Sequence, residues 1–313
     1  MGEIWVIAEA PQKVWELLHK ARELAGGDPV TAFVVGDDAI GRETIAYGAD
    51  RVILTELPEG ALWEQYGARI SREAEQSVPS AVLAGTSRRE KDLAAQLAGL
   101  LDGAYVSECR SISEQDGKYI TERIVYGGLA VKKMESSGCL VASIPPRTYE
   151  PVKDESRTGS ITKWEPVGEQ SVKIKARRPK SAESVNIAEA GIVIGVGRGF
   201  ASPTEMKLAE NLAAVLGGEI GCTRPIAEDL HWLPEDRYIG LSGQVVKPAL
   251  YICAGISGQV QHVYGIRDAK TIVAVDKNEN APILQVADYY IVGDLNQVLP
   301  ALTEAISTVK QGA

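Results

Sequence analysis

The 313 residues include only four cysteines, three histidines and two phenylalanines, and no apolar run reaches the roughly 18–20 residues of a membrane-spanning helix. Cys109, Cys139, Cys222 and Cys253 form no CxxC pair, which excludes a dithiol redox motif or a zinc ribbon and leaves small buried hydrophobes as the expectation. No histidine stands near another, so no metal-ligand spacing exists. Lysine and arginine number 33 against 42 acidic residues, a net charge of −9 that argues against free nucleic acid as a partner. The start, Met1-Gly2-Glu3, runs straight into Ile4-Trp5-Val6-Ile7-Ala8 without the basic and apolar regions of a secretory signal, which points to the cytoplasm.

What is present is alternation. Ile4–Ala8 reads as a strand, and Pro11–Ala25 carries Val14, Leu17, Leu18, Ala21 and Leu24 at helical spacing. Strand-like Val30–Val35, Arg51–Thr55 and Ala81–Ala84 then alternate with helical Ala39–Tyr47, Trp63–Gln76 and Lys91–Leu101. Such alternation predicts an α/β fold with mainly parallel strands and right-handed crossovers. Segment 104–165 changes texture; Tyr119–Val125 and Cys139–Ser143 are β-prone, and we expect the closing strands of the first domain there. Lys163–Ser184 is polar, basic and proline-bearing, as a linker is, so the expected domains are 1–183 and 184–313. The basic cluster Lys173–Lys180 within it reads as a solvated strand or linker, with a docking surface as the alternative. Alternation resumes with Ile192–Val196, helical Thr204–Leu216, Glu219–Cys222, Leu250–Ala254, Thr271–Val275 and Tyr289–Val292. The final helix, Gln297–Lys310, has Val298, Leu302, Ala305, Ile306 and Val309 on one face.

Chemistry concentrates at strand ends of the second half. Gly195-Val196-Gly197-Arg198-Gly199 resembles a dinucleotide-binding turn, although its GxGxG spacing departs from GxGxxG and Glu219 opens the next strand instead of closing it. Arg198 favours an anionic ligand over plain loop structure, since a guanidinium forks onto phosphate. Gly240-Leu241-Ser242-Gly243 is a second small-residue turn. Gly255-Ile256-Ser257-Gly258 is a third, opening a short helix whose first backbone N–H groups, with Ser257, suit a pyrophosphate, and placing Gln261 and His262 one turn in. Asp294, just past Tyr290–Gly293, is read either as a ribose- or adenine-binding acid or as the cap of the last helix. Spacing alone yields a nucleotide-binding second domain and no named cofactor.

Leu250–His262, Ala281–Tyr289 and Val292–Leu295 together resemble the signature of electron-transfer flavoprotein alpha subunits. Gly197-Arg198-Gly199, Thr223-Arg224-Pro225 and Arg237–Gly240 extend the resemblance across nearly all of 190–310. Tyr126–Ala130 and Ser156–Gly159 extend it more loosely into the first half and towards the FixB-type branch, which serves acyl-CoA and carnitine metabolism. The resemblance implies a Rossmann-like FAD-binding domain at the C-terminus and a heterodimer with a beta subunit that the N-terminal domain contacts. It also implies electron exchange with an acyl-CoA dehydrogenase or a reductase-type redox partner. Carried over by position, Arg224 lies over the flavin ring and raises its potential, His262 donates a hydrogen bond towards flavin O2, and Ser242 reaches towards N5. Ser257 and the backbone around Gly258 hold the pyrophosphate, with Arg198 and Thr223 near; Asp294 and Leu295 border the AMP half. Gly240, Gly243, Gln261 and Asp276 complete the implied set. Two positions depart from the family pattern: Asp276 replaces its usual Asn beside Lys277, and Leu241 replaces a common Gln. Some relatives carry a second FAD in the beta subunit and bifurcate electrons, and this sequence is compatible with either mode. An autonomous NAD(P)-dependent oxidoreductase using Gly195–Gly199 is the alternative from another class, and a nucleotide-sensing scaffold without redox chemistry is a third.

Overall fold

The computed structural model describes residues 2–57, 62–165, 176 and 187–311. The chain divides into two compact units, Met1–Arg177 and Arg178–Ala313. The basic cluster Lys173–Lys180 lies outside the described residues apart from Ala176.

The first unit runs β1 (Ile4–Ile7), α1 (Pro11–Ala25), β2 (Val30–Val35), α2 (Asp38–Ala46), β3 (Arg51–Thr55), α3 (Gly67–Gln76), β4 (Ala81–Ala84), α4 (Arg88–Leu100) and β5 (Ala104–Val106). It continues through β6 (Cys109–Gln115), β7 (Lys118–Val125), β8 (Ala130–Ser136), β9 (Leu140–Ser143) and β10 (Ser160–Trp164). Seven of these strands form one parallel sheet in the order β10-β3-β2-β1-β4-β9-β5. Its inner strands, such as β1 and β4, read as continuous apolar runs because both faces are covered. Ile4 and Val6 enter one core, whereas Trp5 and Ile7 enter the core on the opposite face.

Segment 104–165 does more than close this sheet. β9 slots between β4 and β5, and β10 returns to the far edge beside β3. The β-prone Tyr119–Val125 instead belongs to a separate antiparallel sheet, β6-β7-β8. Strand propensity marks a strand but not its sheet, because pairing is decided by distant partners.

The second unit contains β11 (Ile192–Val196), α5 (Lys207–Leu216), β12 (Glu219–Cys222), β13 (Leu250–Ala254), α6 (Val260–Ile266), β14 (Ile272–Asp276), β15 (Tyr289–Val292) and α7 (Leu295–Gln311). Its five strands are all parallel, in the order β12-β11-β13-β14-β15. The chain therefore leaves β11 towards β12 on one side and continues from β13 on the other. Ligands in open parallel sheets bind in the crevice that such a reversal opens beyond the strands' carboxyl ends. On the final helix Leu299 is fully buried while Val309 is 71% exposed. The apolar face predicted from spacing thus packs at its start and leaves the core by its last turn.

Candidate functional site

At the reversal point lies a cleft of about 1010 Å³, built from the residues that follow four parallel strands. Arg198 and Gly199 come after β11, Thr223 and Arg224 after β12, the turn Gly255–Gln261 after β13, and Asp276 and Lys277 from the end of β14. Such a volume exceeds that of an ordinary drug-sized pocket and suits a dinucleotide.

Close backbone approach is what lets these turns meet. A Cβ on Gly197 or Gly199 would collide with the backbone of Gly255, so only glycine fits there. Gly258 has φ +89°, and a side chain on it would strike the backbone of Ile283. Gly195 has a different task from the phosphate-facing one its motif suggests. It lies inside β11 beneath the Tyr251 ring, where a Cβ would come within 2.6 Å of Cζ.

Of the expected site residues, Arg198, Thr223, Arg224, Leu241, Ser242, Ser257, Gly258, Gln261, His262 and Asp276 all line the cleft. Gly240 and Gly243 are absent from its wall. They shape the turn instead, Gly240 with φ +156° and Gly243 pressed against the Tyr238 carbonyl. Asp294 and Leu295 also stay out of the wall. Asp294 Oδ1 accepts the Asn296 N–H at 2.8 Å, the capping geometry, and Leu295 is buried in the core beneath Gly255. Asp276 uses Oδ1 to accept the Asn278 N–H at 2.9 Å, and Lys277 beside it lines the same wall.

The wall's chemistry favours an anion with an apolar ring. Among the described residues its charged groups are Arg198, Arg224 and Lys277 against the single carboxylate Asp276. The Thr223 hydroxyl is buried with no hydrogen-bond partner among the described residues, a cost that a polar ligand atom would remove. Leu241, 49% exposed, and Val260, 46% exposed, offer apolar surface beside these cations. The Ser242 hydroxyl lies 3.1 Å from the Tyr238 hydroxyl, an association that leaves further hydrogen-bonding capacity on Oγ.

Two of these side chains have partners inside the protein. Arg224 is not a free cation: its Nε donates to Glu228 Oε2 at 2.6 Å in an i,i+4 pair around the wide helical turn Pro225–Asp229. That carboxylate offsets part of the guanidinium's field in the cleft. The spacing Arg224-x-x-x-Glu228 already signals the pair once the segment is read as helical. His262, expected to donate into the cleft, has both ring nitrogens engaged inside the protein. Nδ1 lies 3.0 Å from the Ile239 carbonyl, which can only accept, so Nδ1 carries the proton. Nε2 lies 3.1 Å from the Tyr251 hydroxyl. Burial pushes the imidazole down from 6.5 to about 4, against a smaller opposing effect of the Ile239 hydrogen bond. The neutral ring therefore accepts at Nε2 rather than donating. No local sequence signal links Tyr251 or Ile239 to this histidine, because the contacts are tertiary.

Three of the four cysteines match the reading from composition, and Cys139 is only half-buried. Cys109, Cys222 and Cys253 are buried, and burial raises Cys109 and Cys139 to about 11 and Cys222 to about 12, so these thiols stay protonated and inert. No group of three metal-ligating side chains occurs among the described residues, and no helix there is long and apolar enough to cross a membrane.

A parallel α/β unit with a cation-lined cleft at its strand-order reversal defines a nucleotide-binding protein. Residues 186–267 match the model of the electron transfer flavoprotein FAD-binding domain, and residues 4–168 match that of the electron transfer flavoprotein domain. The chain is 38% identical over 312 residues to Protein FixB of Salmonella typhi and 37% identical over 312 residues to Protein FixB of Escherichia coli O157:H7. Each alignment covers 98% of both proteins. The chain belongs to the electron-transfer flavoprotein family, as an alpha-type subunit with an FAD-binding C-terminal domain. Asp276, Asp294 and Leu295 fall beyond the matched FAD-binding span.

Proposed function

We propose that this chain is the alpha subunit of a heterodimeric electron-transfer flavoprotein and that its C-terminal cleft holds FAD. The reading divides the chain into 1–183, which contacts the beta subunit, and 184–313, which carries the flavin. The observation that carries it is the cleft itself, where three cations and the orphaned Thr223 hydroxyl gather at close-packed glycine turns. Arg198, Ser257 and the backbone at Gly258 are the groups suited to the pyrophosphate, and Thr223 supplies a hydroxyl beside them. Arg224, Leu241, Ser242 and His262 stand where the ring half would lie, with Gln261 adjoining them. When bound, FAD supplies electron acceptance and donation in single or paired steps. The protein's part is electrostatic and positional: Arg224 favours negative charge in the cleft, Glu228 moderates it, and the apolar Leu241 limits water at the edge.

The chain transforms no substrate alone in this reading. It exchanges electrons with an acyl-CoA dehydrogenase or a reductase-type partner, and bifurcation would require a second flavin in the beta subunit. Asp294, exposed and capping α7 through Oδ1 alone, remains a candidate for the AMP border, whereas the buried Leu295 would reach it only if the α7 start rearranges. Co-expression with a beta-type chain, purification and a visible spectrum test the proposal. A yellow complex with stoichiometric FAD is expected. A colourless complex would overturn it, and reduction of NAD by this chain alone would favour an autonomous oxidoreductase instead.

A further inference from the structure

The contact between Tyr251 and His262 joins a core residue to a buried residue of the cleft wall. Tyr251 belongs to β13 and is fully buried; its side chain points to the same face of the sheet as Cys253, while Ile252 and Ala254 enter the opposite core. Gly195 on the neighbouring strand leaves the space that the phenol occupies. A side chain of any size there would displace the hydroxyl. The ring of His262, 6% exposed, stands 6.1 Å from that of Tyr251, centre to centre, at an interplanar angle of 54°. Its two nitrogens face one obligate acceptor, the Ile239 carbonyl, and one hydroxyl that can either donate or accept.

We propose that Tyr251 is a positioning residue for His262: its hydroxyl donates to Nε2 and, with the Ile239 carbonyl on Nδ1–H, holds the imidazole in one tautomer and one orientation at the cleft wall. The inference rests on the reading that this cleft takes the flavin ring. A histidine tautomer is fixed by what its nitrogens bond, and here both bonds come from the protein itself. The phenol reaches that role because burial, with smaller effects of Cys253 and Cys222, pushes it well above its usual range and keeps its proton. Burial also raises both thiols, Cys222 to about 12, while Arg198, Arg224, Lys277 and Asp276 share the cleft wall with His262. Burial is the main cause of the imidazole's shift, and the ring stands at the cleft wall, so charge entering the cleft acts on it. Negative charge entering the cleft favours the imidazolium. A proton taken from solvent then resides on Nε2, and the Tyr251 hydroxyl turns from donor to acceptor without moving its oxygen. Burial thus keeps His262 neutral until the cleft becomes more negative, and the hydroxyl bonds the ring in either form.

The chain holds three histidines, His19, His231 and His262, so ring-nitrogen resonances of ¹⁵N-histidine-labelled FAD complex can be assigned from single-histidine variants. In the wild-type complex we expect Nδ1 protonated and Nε2 unprotonated and hydrogen-bonded. Tyr251→Phe keeps the ring's bulk and removes the donor. It should move the Nε2 resonance and lower the His262 titration midpoint, because the imidazolium loses the charge-assisted bond from Nε2–H to the hydroxyl oxygen, which is stronger than the bond the neutral ring loses. It should also alter the pH dependence of the flavin potential while FAD content stays stoichiometric. Protonated Nε2 in the neutral wild-type ring, or unchanged nitrogen shifts and midpoint in Tyr251→Phe, would overturn the proposal. The wild-type measurement decides the tautomer even if the variant folds poorly. A wild-type complex lacking FAD would overturn the flavin reading and with it the purpose given to the pair, an outcome distinct from an unchanged ring in a complex that carries FAD.

Discussion

Both units place a glycine-bearing turn at the reversal point of a parallel sheet, yet only one leaves that point open. In the first sheet the reversal falls between β1 and β4. There the Glu90 carboxylate accepts the Glu9 N–H through Oε1 at 2.9 Å and the Ser87 N–H through Oε2 at 2.7 Å. Gly85 has no side chain to displace it, and Glu90 is only 5% exposed. The first unit thus fills its anion-holding turn with its own carboxylate, completing a capping box with Ser87 at the start of α4. In the second unit the corresponding turns carry small residues and cations around open space. The same architecture becomes a scaffold or a ligand site according to whether one acidic side chain reaches back into the crevice.

The largest effect should come from closing the open turn. Gly258→Val forces a β-branched residue into φ +89° against the Ile283 backbone. Backbone strain and overpacking should together cost on the order of 3–5 kcal/mol and abolish FAD retention, read by thermal unfolding and flavin content. Next comes the buried His262. Its folded value of about 4 lies below the ordinary 6.5, so between these the unfolded chain binds more protons and stability falls as pH is lowered through that window. Wild type should lose up to roughly 3 kcal/mol from this group between pH 6.5 and 4, and His262→Gln should flatten the pH profile in urea titrations.

Much of this was readable from residue order. The strand–helix alternation and the glycine turns follow from periodicity and small-residue spacing, and ten of the expected site residues meet in one cleft. What escaped the sequence depends on contacts between distant segments. Nothing near His262 announces Tyr251 or the Ile239 carbonyl as its partners. Leu295 looks like a neighbour of Asp294 in a ligand loop, but helix α7 turns it inward beneath Gly255. Glu90 follows Ser87 at capping-box spacing, and only the fold reveals that its other oxygen reaches across to Glu9.

Unplugging the filled turn gives a smaller effect than closing the open one. Glu90→Ala strands the Glu9 and Ser87 N–H groups and removes half of the capping box, so a loss of about 2 kcal/mol is expected with FAD content unchanged. Arg224→Ala should lower the flavin potential by tens of millivolts, the scale of one solvent-screened charge nearby, and leave much of the FAD bound. Glu228→Gln should raise the potential by less, because the charge it removes lies outside the cleft wall that Arg224 lines. Both are read by potentiometric titration followed in the visible spectrum.

The most direct test of the contrast between the two turns is the FAD content of the co-purified heterodimer in wild type, Glu90→Ala and Gly258→Val. The account predicts equal flavin in the first two and one fewer FAD per heterodimer in the third. Full flavin in Gly258→Val, or its loss in a folded Glu90→Ala complex, would contradict it.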